Sequence, residues 1–271
     1  MVVLLLQILK LTLLLIGCVS LSHGKALDSK QTTKKPFEFD DVINSGRFGS
    51  RGFPGTWISA NEFTYTNNGN FVKYNVDTNT NETILSQEYI LGKSWSGPSF
   101  QFSADRTRIL VRYARRSIFR HSSVSRFSVI TLPLDITEEP MMIALGSEVQ
   151  TAFFAPDGTG VAYIKDNNIV YVDLGFLPTD IAITTDGVPD LIYNGIPDWV
   201  YEEEVLGSDA ASWFSPDGTK LAYIRFDDTH VKEATYDLYG EGDQQYPNEV
   251  HLRYPKVRDS AFLIINVSPS L

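Results

Sequence analysis

Three consecutive carboxylates, Glu202, Glu203 and Glu204, lie in the segment Gly195-Ile-Pro-Asp-Trp-Val-Tyr-Glu-Glu-Glu-Val205. Two readings of them are open. Pro197 and Asp198 resemble a helix start with Asp198 as N-cap, and acids in the opening turns are favoured there by the helix dipole. Alternatively, Glu203 and Glu204 address one spot and bind a cation. Adjacent carboxylates raise one another's pKa unless a positive group compensates. A peptide α-amino group would do so by donating charge-assisted hydrogen bonds to both acids. On a rigid support such a pair acts as a ruler, fixing an N-terminus relative to a bond elsewhere in the chain that carries it.

Other chemistries have less support. No Gly-x-Ser-x-Gly nucleophile elbow occurs, and Gly92-Lys-Ser-Trp-Ser-Gly97 has the right residue types at the wrong spacing. The four histidines (His23, His121, His230 and His251) assemble no serine–histidine–acid triad with their surroundings and show no metal-ligand spacing. No metal and no cofactor are expected. A formal net charge of −10 argues against nucleic acid as a partner. The basic run Arg112, Arg115, Arg116 and Arg120 reads either as a local anion patch or as a solvated or intramolecularly paired strand edge.

The elements that must position the acids are strands. Ile109–Val111, Ser128–Thr131, Val161–Ile164, Ile169–Val172 and Leu221–Phe226 are β-branched or aromatic runs separated by turn residues, without long helical periodicity. They also repeat. Trp57-Ile-Ser-Ala-Asn, Phe102-Ser-Ala-Asp-Arg-Thr, Phe154-Ala-Pro-Asp-Gly-Thr and Phe214-Ser-Pro-Asp-Gly-Thr each precede a further β-run. Their spacing of about 45 to 60 residues is that of four-stranded propeller blades. The expected fold is an all-β, incomplete β-propeller of about four to five blades, occupying residues 41–271. Phe262–Val267 is read as another strand, one that would begin a further blade.

Residues 1–24 read as a signal peptide: Lys10 splits the apolar stretch, and Ser22 and Gly24 fit a cleavage site. A type II anchor is the alternative, so the expected location is secreted or, failing that, the plasma membrane. Residues 25–40 read as a linker. Cys18, the single cysteine, falls inside the signal, so packing rather than disulfides must hold the mature fold. Asn81-Glu-Thr83 and Asn266-Val-Ser268 are glycosylation sequons.

The stretch Asp198-Trp-Val-Tyr-Glu-Glu-Glu-Val205, then Trp213-Phe-Ser-Pro-Asp-Gly-Thr-Lys-Leu-Ala-Tyr223, Phe226-Asp-Asp-Thr229, Gln245-Tyr-Pro247 and Tyr254-Pro-Lys256, resembles the propeller of the dipeptidyl peptidase IV family. The resemblance implies an eight-bladed propeller capping an α/β-hydrolase domain, and removal of N-terminal dipeptides with proline or alanine second. It implies that Glu203 and Glu204 hold the substrate ammonium and that Arg120, in Phe119-Arg-His-Ser122, contacts a substrate carbonyl. The implied partners are peptides with a free N-terminus, the hydrolase domain of the full-length protein, and a second copy in a homodimer.

Three departures accompany the resemblance. Gly207 replaces a residue that is often polar in relatives. The chain diverges after Lys256, which suggests an alternative end, and it carries no hydrolase domain. The chain by itself is therefore expected to be inactive. The readings open at this point are the substrate-docking part of a dipeptidyl peptidase, part of a non-enzymatic relative, and a truncated peptide- or protein-binding module.

Overall fold

The computed structural model describes residues 36–43, 52–133, 142–240, 245–256 and 262–268. The proposed signal, Cys18 within it, and the linker as far as residue 35 lie outside the described residues. No helix among the described residues is long and apolar enough to cross a membrane. The chain divides into two units, Met1–Pro54 and Gly55–Leu271. In the first, a four-residue helix, α1 (Phe39–Val42), is the regular element described.

The second unit is built of antiparallel blades, the first three of them four-stranded. Blade one comprises β1 (Thr56–Trp57), β2 (Glu62–Asn67), β3 (Asn70–Asn75) and β4 (Thr80–Leu85) in spatial order. Helix α2 (Gln87–Gly92) follows, its first turn capped by the Ser86 hydroxyl, which accepts from the Tyr89 N–H at 3.1 Å. Blades two and three are fused into one seven-stranded sheet of β5 (Ser99–Phe102), β6 (Arg108–Ser117), β7 (Ser123–Thr131), β8 (Met142–Phe154), β9 (Gly160–Lys165), β10 (Asn168–Asp173) and β11 (Thr179–Ala182). The long β8 serves both. Its first half pairs with β7 and its second half with β9. Between the halves, Gly146 and Glu148 adopt positive φ (102° and 59°), the irregularity that lets one strand leave one blade and enter the next.

Blade four contains β12 (Ile192–Asn194), β13 (Ser212–Phe214) and β14 (Leu221–Asp227). After it come a separate hairpin, β15 (Glu233–Leu238) with β16 (Asn248–Arg253), and β17 (Phe262–Val267). β17 does not begin a further blade. It runs antiparallel to β14, from Ala222↔Val267 to Asp227↔Phe262, and so belongs to blade four. The run was legible as a strand, but its partner was set by register across the hairpin insertion, which local pattern does not encode. No strand pairing links blades one and four, so among the described residues the blades form an open, incomplete all-β propeller, as expected.

The four repeated sequence motifs occupy the same place in every blade, the turn from its first strand to its second. In each full turn the Asp side chain folds back on its own backbone. Asp105 Oδ1 accepts from the Ser103 hydroxyl (2.6 Å) and the Thr107 N–H (3.0 Å). Asp217 repeats this with Ser215 (2.6 Å) and Thr219 (3.2 Å), and Asp157 accepts from the Thr159 N–H at 3.0 Å. The turns also mesh between blades. The Asp105 carboxylate lies against Gly158 and that of Asp157 against Gly218, where an added Cβ would stand 3.3 and 3.2 Å from the carboxyl carbon. At the first boundary Arg106 takes the glycine position with φ 60° and pairs with Glu62 at 2.7 Å.

The core follows from strand alternation, because successive side chains of a twofold strand face opposite neighbours. On β6, Ile109 and Val111 join Phe71, Leu85 and Trp95 at the blade one side, while Leu110 joins Val149, Val161 and Tyr163 at the blade three side. On β9, Ala162 and Ile164 instead face Ile169, Ile196 and Leu221 at blade four. Each blade boundary thus has its own apolar cluster. A fully buried aliphatic side chain contributes about 1.5–3 kcal/mol there.

Candidate functional site

The acidic segment is an excursion from a single strand edge. β12 and β13 lie end to end on the same edge of β14, pairing with Arg225–Asp227 and Leu221–Tyr223 respectively. Everything between them is looped out. The base is pinched shut by the Ala211 N–H donating to Gly195 O at 2.7 Å, with Gly195 N and Ala211 O both bonded to Ile224. Gly195 has φ 74°, and a Cβ there would meet Ile164 and Ile169 at 2.9 Å, so both backbone and space require glycine. Ile196 then anchors the excursion in the blade three–four core.

The looped-out residues form a short wide-turn helix, Tyr201–Leu206. Trp199 and Val200 are helical ahead of it, and Asp198 stands at that start, its Oδ1 accepting from the Tyr201 N–H at 2.9 Å. Gly207 ends it in the left-handed conformation at φ 59°, so its lack of a side chain serves the helix stop rather than merely deleting a polar group. Tyr201 packs edge-on against buried Phe226, and Trp199 against Tyr254. The wide turn matters to the acids. A π-type turn holds more residues than the 3.6 of an α-helix, so Glu203 and Glu204 diverge by less than the usual rotation of roughly 100°.

The three acids are placed differently. Glu202 is 1% exposed, and its Oε1 accepts two backbone N–H groups, from His121 at 2.7 Å and Ser122 at 2.8 Å. Glu203, its side chain 8% exposed, pairs with Arg120 at 3.2 Å, while the Arg120 side chain is 76% exposed. Glu204 is exposed. The structure therefore joins two of the residues singled out from sequence, Arg120 and Glu203, across blades two and four, with Glu204 next in the chain. Asn81 is exposed on edge strand β4 and accepts from the Tyr65 hydroxyl. Asn266 is half-buried on edge strand β17, and the hydroxyl of Ser268 in its sequon accepts from the Leu221 N–H at 2.9 Å.

The basic run is paired within the fold. Arg112 donates to Ser123 and Ser125 and stacks over Phe127, Arg115 donates to Ser123, and Arg116 pairs with Glu148 at 2.7 Å. Burial lowers the Arg112 pKa, with Arg115 adding to the effect and Asp209 opposing it. The Asp209 carboxyl, on the return limb of the excursion, is pushed up by burial against the pull of Arg112.

Sequence reasoning missed a second pair of acids beneath the helix. Asp198 and Asp228 are 2% and 1% exposed. Neither oxygen of Asp228, nor Oδ2 of Asp198, has a hydrogen-bond partner among the described residues. Burial, and then the Asp198 charge, push Asp228 up to about 7 against the opposing effect of Arg253. Burial raises Asp198 as well. The pair could not be found from sequence because Asp228, in Phe226-Asp-Asp-Thr229, lies 30 residues from Asp198 and nothing local marks it as buried.

A cavity of about 550 Å³ borders the same helix, lined among others by Phe119, Ser122, Tyr193, Glu202, Asp209 and Arg253; Arg120, Glu203 and Glu204 are not among its lining residues.

Residues 103–264 match the family model described as the dipeptidyl peptidase IV (DPP IV) N-terminal region. The chain is 35% identical over 246 residues to venom dipeptidyl peptidase 4 of Vespa velutina, covering 86% of this chain and 30% of that protein. It is 33% identical over 246 residues to prolyl endopeptidase FAP of Homo sapiens, covering 90% and 31%. Among solved structures, Porphyromonas gingivalis dipeptidyl peptidase 4 superposes with a TM-score of 0.68 at 27% identity, over 86% of this chain and 33% of that one. The chain thus spans under a third of the length of the curated relatives it matches. With its repeated blades and its acidic excursion, the chain belongs to the dipeptidyl peptidase IV N-terminal region family.

Proposed function

We propose that this chain is the substrate-docking propeller part of a secreted dipeptidyl peptidase IV-like serine exopeptidase that removes N-terminal Xaa-Pro or Xaa-Ala dipeptides. Glu203 and Glu204 receive the peptide ammonium, Arg120 presents its guanidinium to a substrate carbonyl, and a catalytic triad outside this chain cuts the bond. The observation that carries this reading is the Arg120–Glu203 pair at 3.2 Å, which gathers a cation and an acid from distant segments beside exposed Glu204. An arginine between carboxylates and a peptide satisfies both. It partly neutralises the acids when no peptide is bound, and its planar fork suits a carbonyl when one is.

The test needs no catalysis. Binding of an Xaa-Pro peptide with a free N-terminus is compared with binding of its acetylated form, by calorimetry, for the unaltered chain and for Glu203→Gln and Glu204→Gln. One charge-assisted hydrogen bond is worth about 1.5–3 kcal/mol, so each substitution should lower affinity for the free form by about 10- to 100-fold and leave the acetylated form unchanged. Equal affinity of the unaltered chain for both peptides would remove the reading.

A further inference from the structure

The buried acid of the triplet has a role of its own that the docking reading leaves unassigned. Its single oxygen Oε1 takes the N–H groups of His121 and Ser122, the two residues that follow Arg120. Those residues lie in the tip joining β6 to β7, which also closes on itself through the Ile118 and Phe119 N–H groups donating to Ser122 O at 3.0 and 3.3 Å. Arg120 projects from that tip and returns to Glu203, the residue after Glu202. The contacts close a loop: the Glu202 carboxylate to the backbone after Arg120, the Arg120 guanidinium to the Glu203 carboxylate, and the peptide bond back to Glu202. A mostly exposed arginine on a hairpin tip would otherwise sample many rotamers, and tying the backbone beside it confines where its guanidinium can reach. A buried carboxylate is costly to desolvate, so its use here, satisfied by two converging N–H dipoles, calls for more than space filling.

We propose that Glu202 is a positioning residue, tethering the Arg120 tip of blade two to the acidic helix of blade four so that Arg120, Glu203 and Glu204 meet the peptide N-terminus as one preassembled unit. The inference rests on the docking reading above.

Hydrogen exchange and peptide binding are measured on the same samples of the full chain, for the unaltered protein and for Glu202→Ala, Glu202→Gln, Arg120→Ala and both Glu202 changes combined with Arg120→Ala. Glu202→Ala should speed exchange of the His121 and Ser122 amides by at least about 10-fold and cut the preference for free over acetylated peptide by about 10-fold. Glu202→Gln keeps an acceptor oxygen and should restore most of both. In the Arg120→Ala background either Glu202 change should lower the free-amine preference by less than about a further 2-fold, because the tether acts on binding through that arginine, while its effect on His121 and Ser122 exchange persists. Where Glu202→Ala does not fold, Glu202→Leu, which fills the buried volume without an acceptor oxygen, takes its place in every arm. Unchanged exchange at His121 and Ser122 would overturn the tether. Faster exchange with an undiminished free-amine preference, or fully additive effects on that preference, would overturn its positioning role. An unaltered chain with no free-amine preference would remove the docking reading and this inference together, while the exchange data would still report whether the tether exists.

Discussion

Replacing Asp228 with asparagine should stabilise this protein, increasingly so as the pH rises above about 4. The carboxyl is 1% exposed, has no hydrogen-bond partner among the described residues and faces buried Asp198. The charged groups acting on it are Asp198 of the excursion, its neighbour Asp227, and Arg253 of β16, with Tyr193 and Tyr201 themselves raised by burial and by these acids. Its pKa rises from 3.8 to about 7 on folding. The sign follows from proton counting. Below about pH 4 both folded and unfolded states are protonated and Asp228 is neutral in the balance. Between about 4 and 7 the folded state binds the extra proton, so stability falls as pH rises, by at most about 1.4 kcal/mol per pH unit. Above about 7 the penalty is fully developed, at a ceiling of about 4 kcal/mol, from which relaxation of Asp198 subtracts. An asparagine carries no charge to desolvate. Urea denaturation of the unaltered chain and of Asp228→Asn from pH 4 to pH 8 should give curves that coincide near pH 4 and separate progressively, with the variant more stable at pH 8. Parallel curves, or a variant that is less stable at pH 8, would refute the reasoning.

Other perturbations have equally definite outcomes. Gly195→Ala forces a side chain into a left-handed backbone and against Ile164 and Ile169, and should cost about 2–4 kcal/mol by chemical denaturation. Ile164→Ala opens a cavity at the blade three–four boundary and should cost about 2–5 kcal/mol, with exchange rising first in the blade four amides. Glu203→Gln should leave the denaturation midpoint almost unchanged, because its partner Arg120 is largely exposed, while narrowing the discrimination between free and acetylated peptides by about 10- to 100-fold.

The propeller was legible because each blade carries local chemistry that repeats. The Asp-Gly-Thr turns need only neighbouring residues to form, and all four motifs fall at equivalent turns. Alternation on β6 and β9 also follows from sequence alone. What pattern could not supply was long-range pairing. β17 returns to β14 across the inserted β15–β16 hairpin, and one strand, β8, serves two blades. At the site, Glu203 and Glu204 were singled out as adjacent carboxylates and given their role by family resemblance, Arg120 by the resemblance alone, and Asp198 as a cap through local chemistry. Glu202 was seen as one more acid of a helix start. Its contacts lie about 80 residues away in sequence, and nothing in the triplet marks which member turns inward.

The meshed turns have a consequence for how such a protein can grow. Along blades two, three and four one unit offers a carboxylate and the next a left-handed backbone position: Asp105 against Gly158, then Asp157 against Gly218. That head-to-tail complementarity is the same at both junctions. A duplicated unit would therefore arrive already equipped to dock on either neighbour, and lengthening the array would require no new interface to be invented.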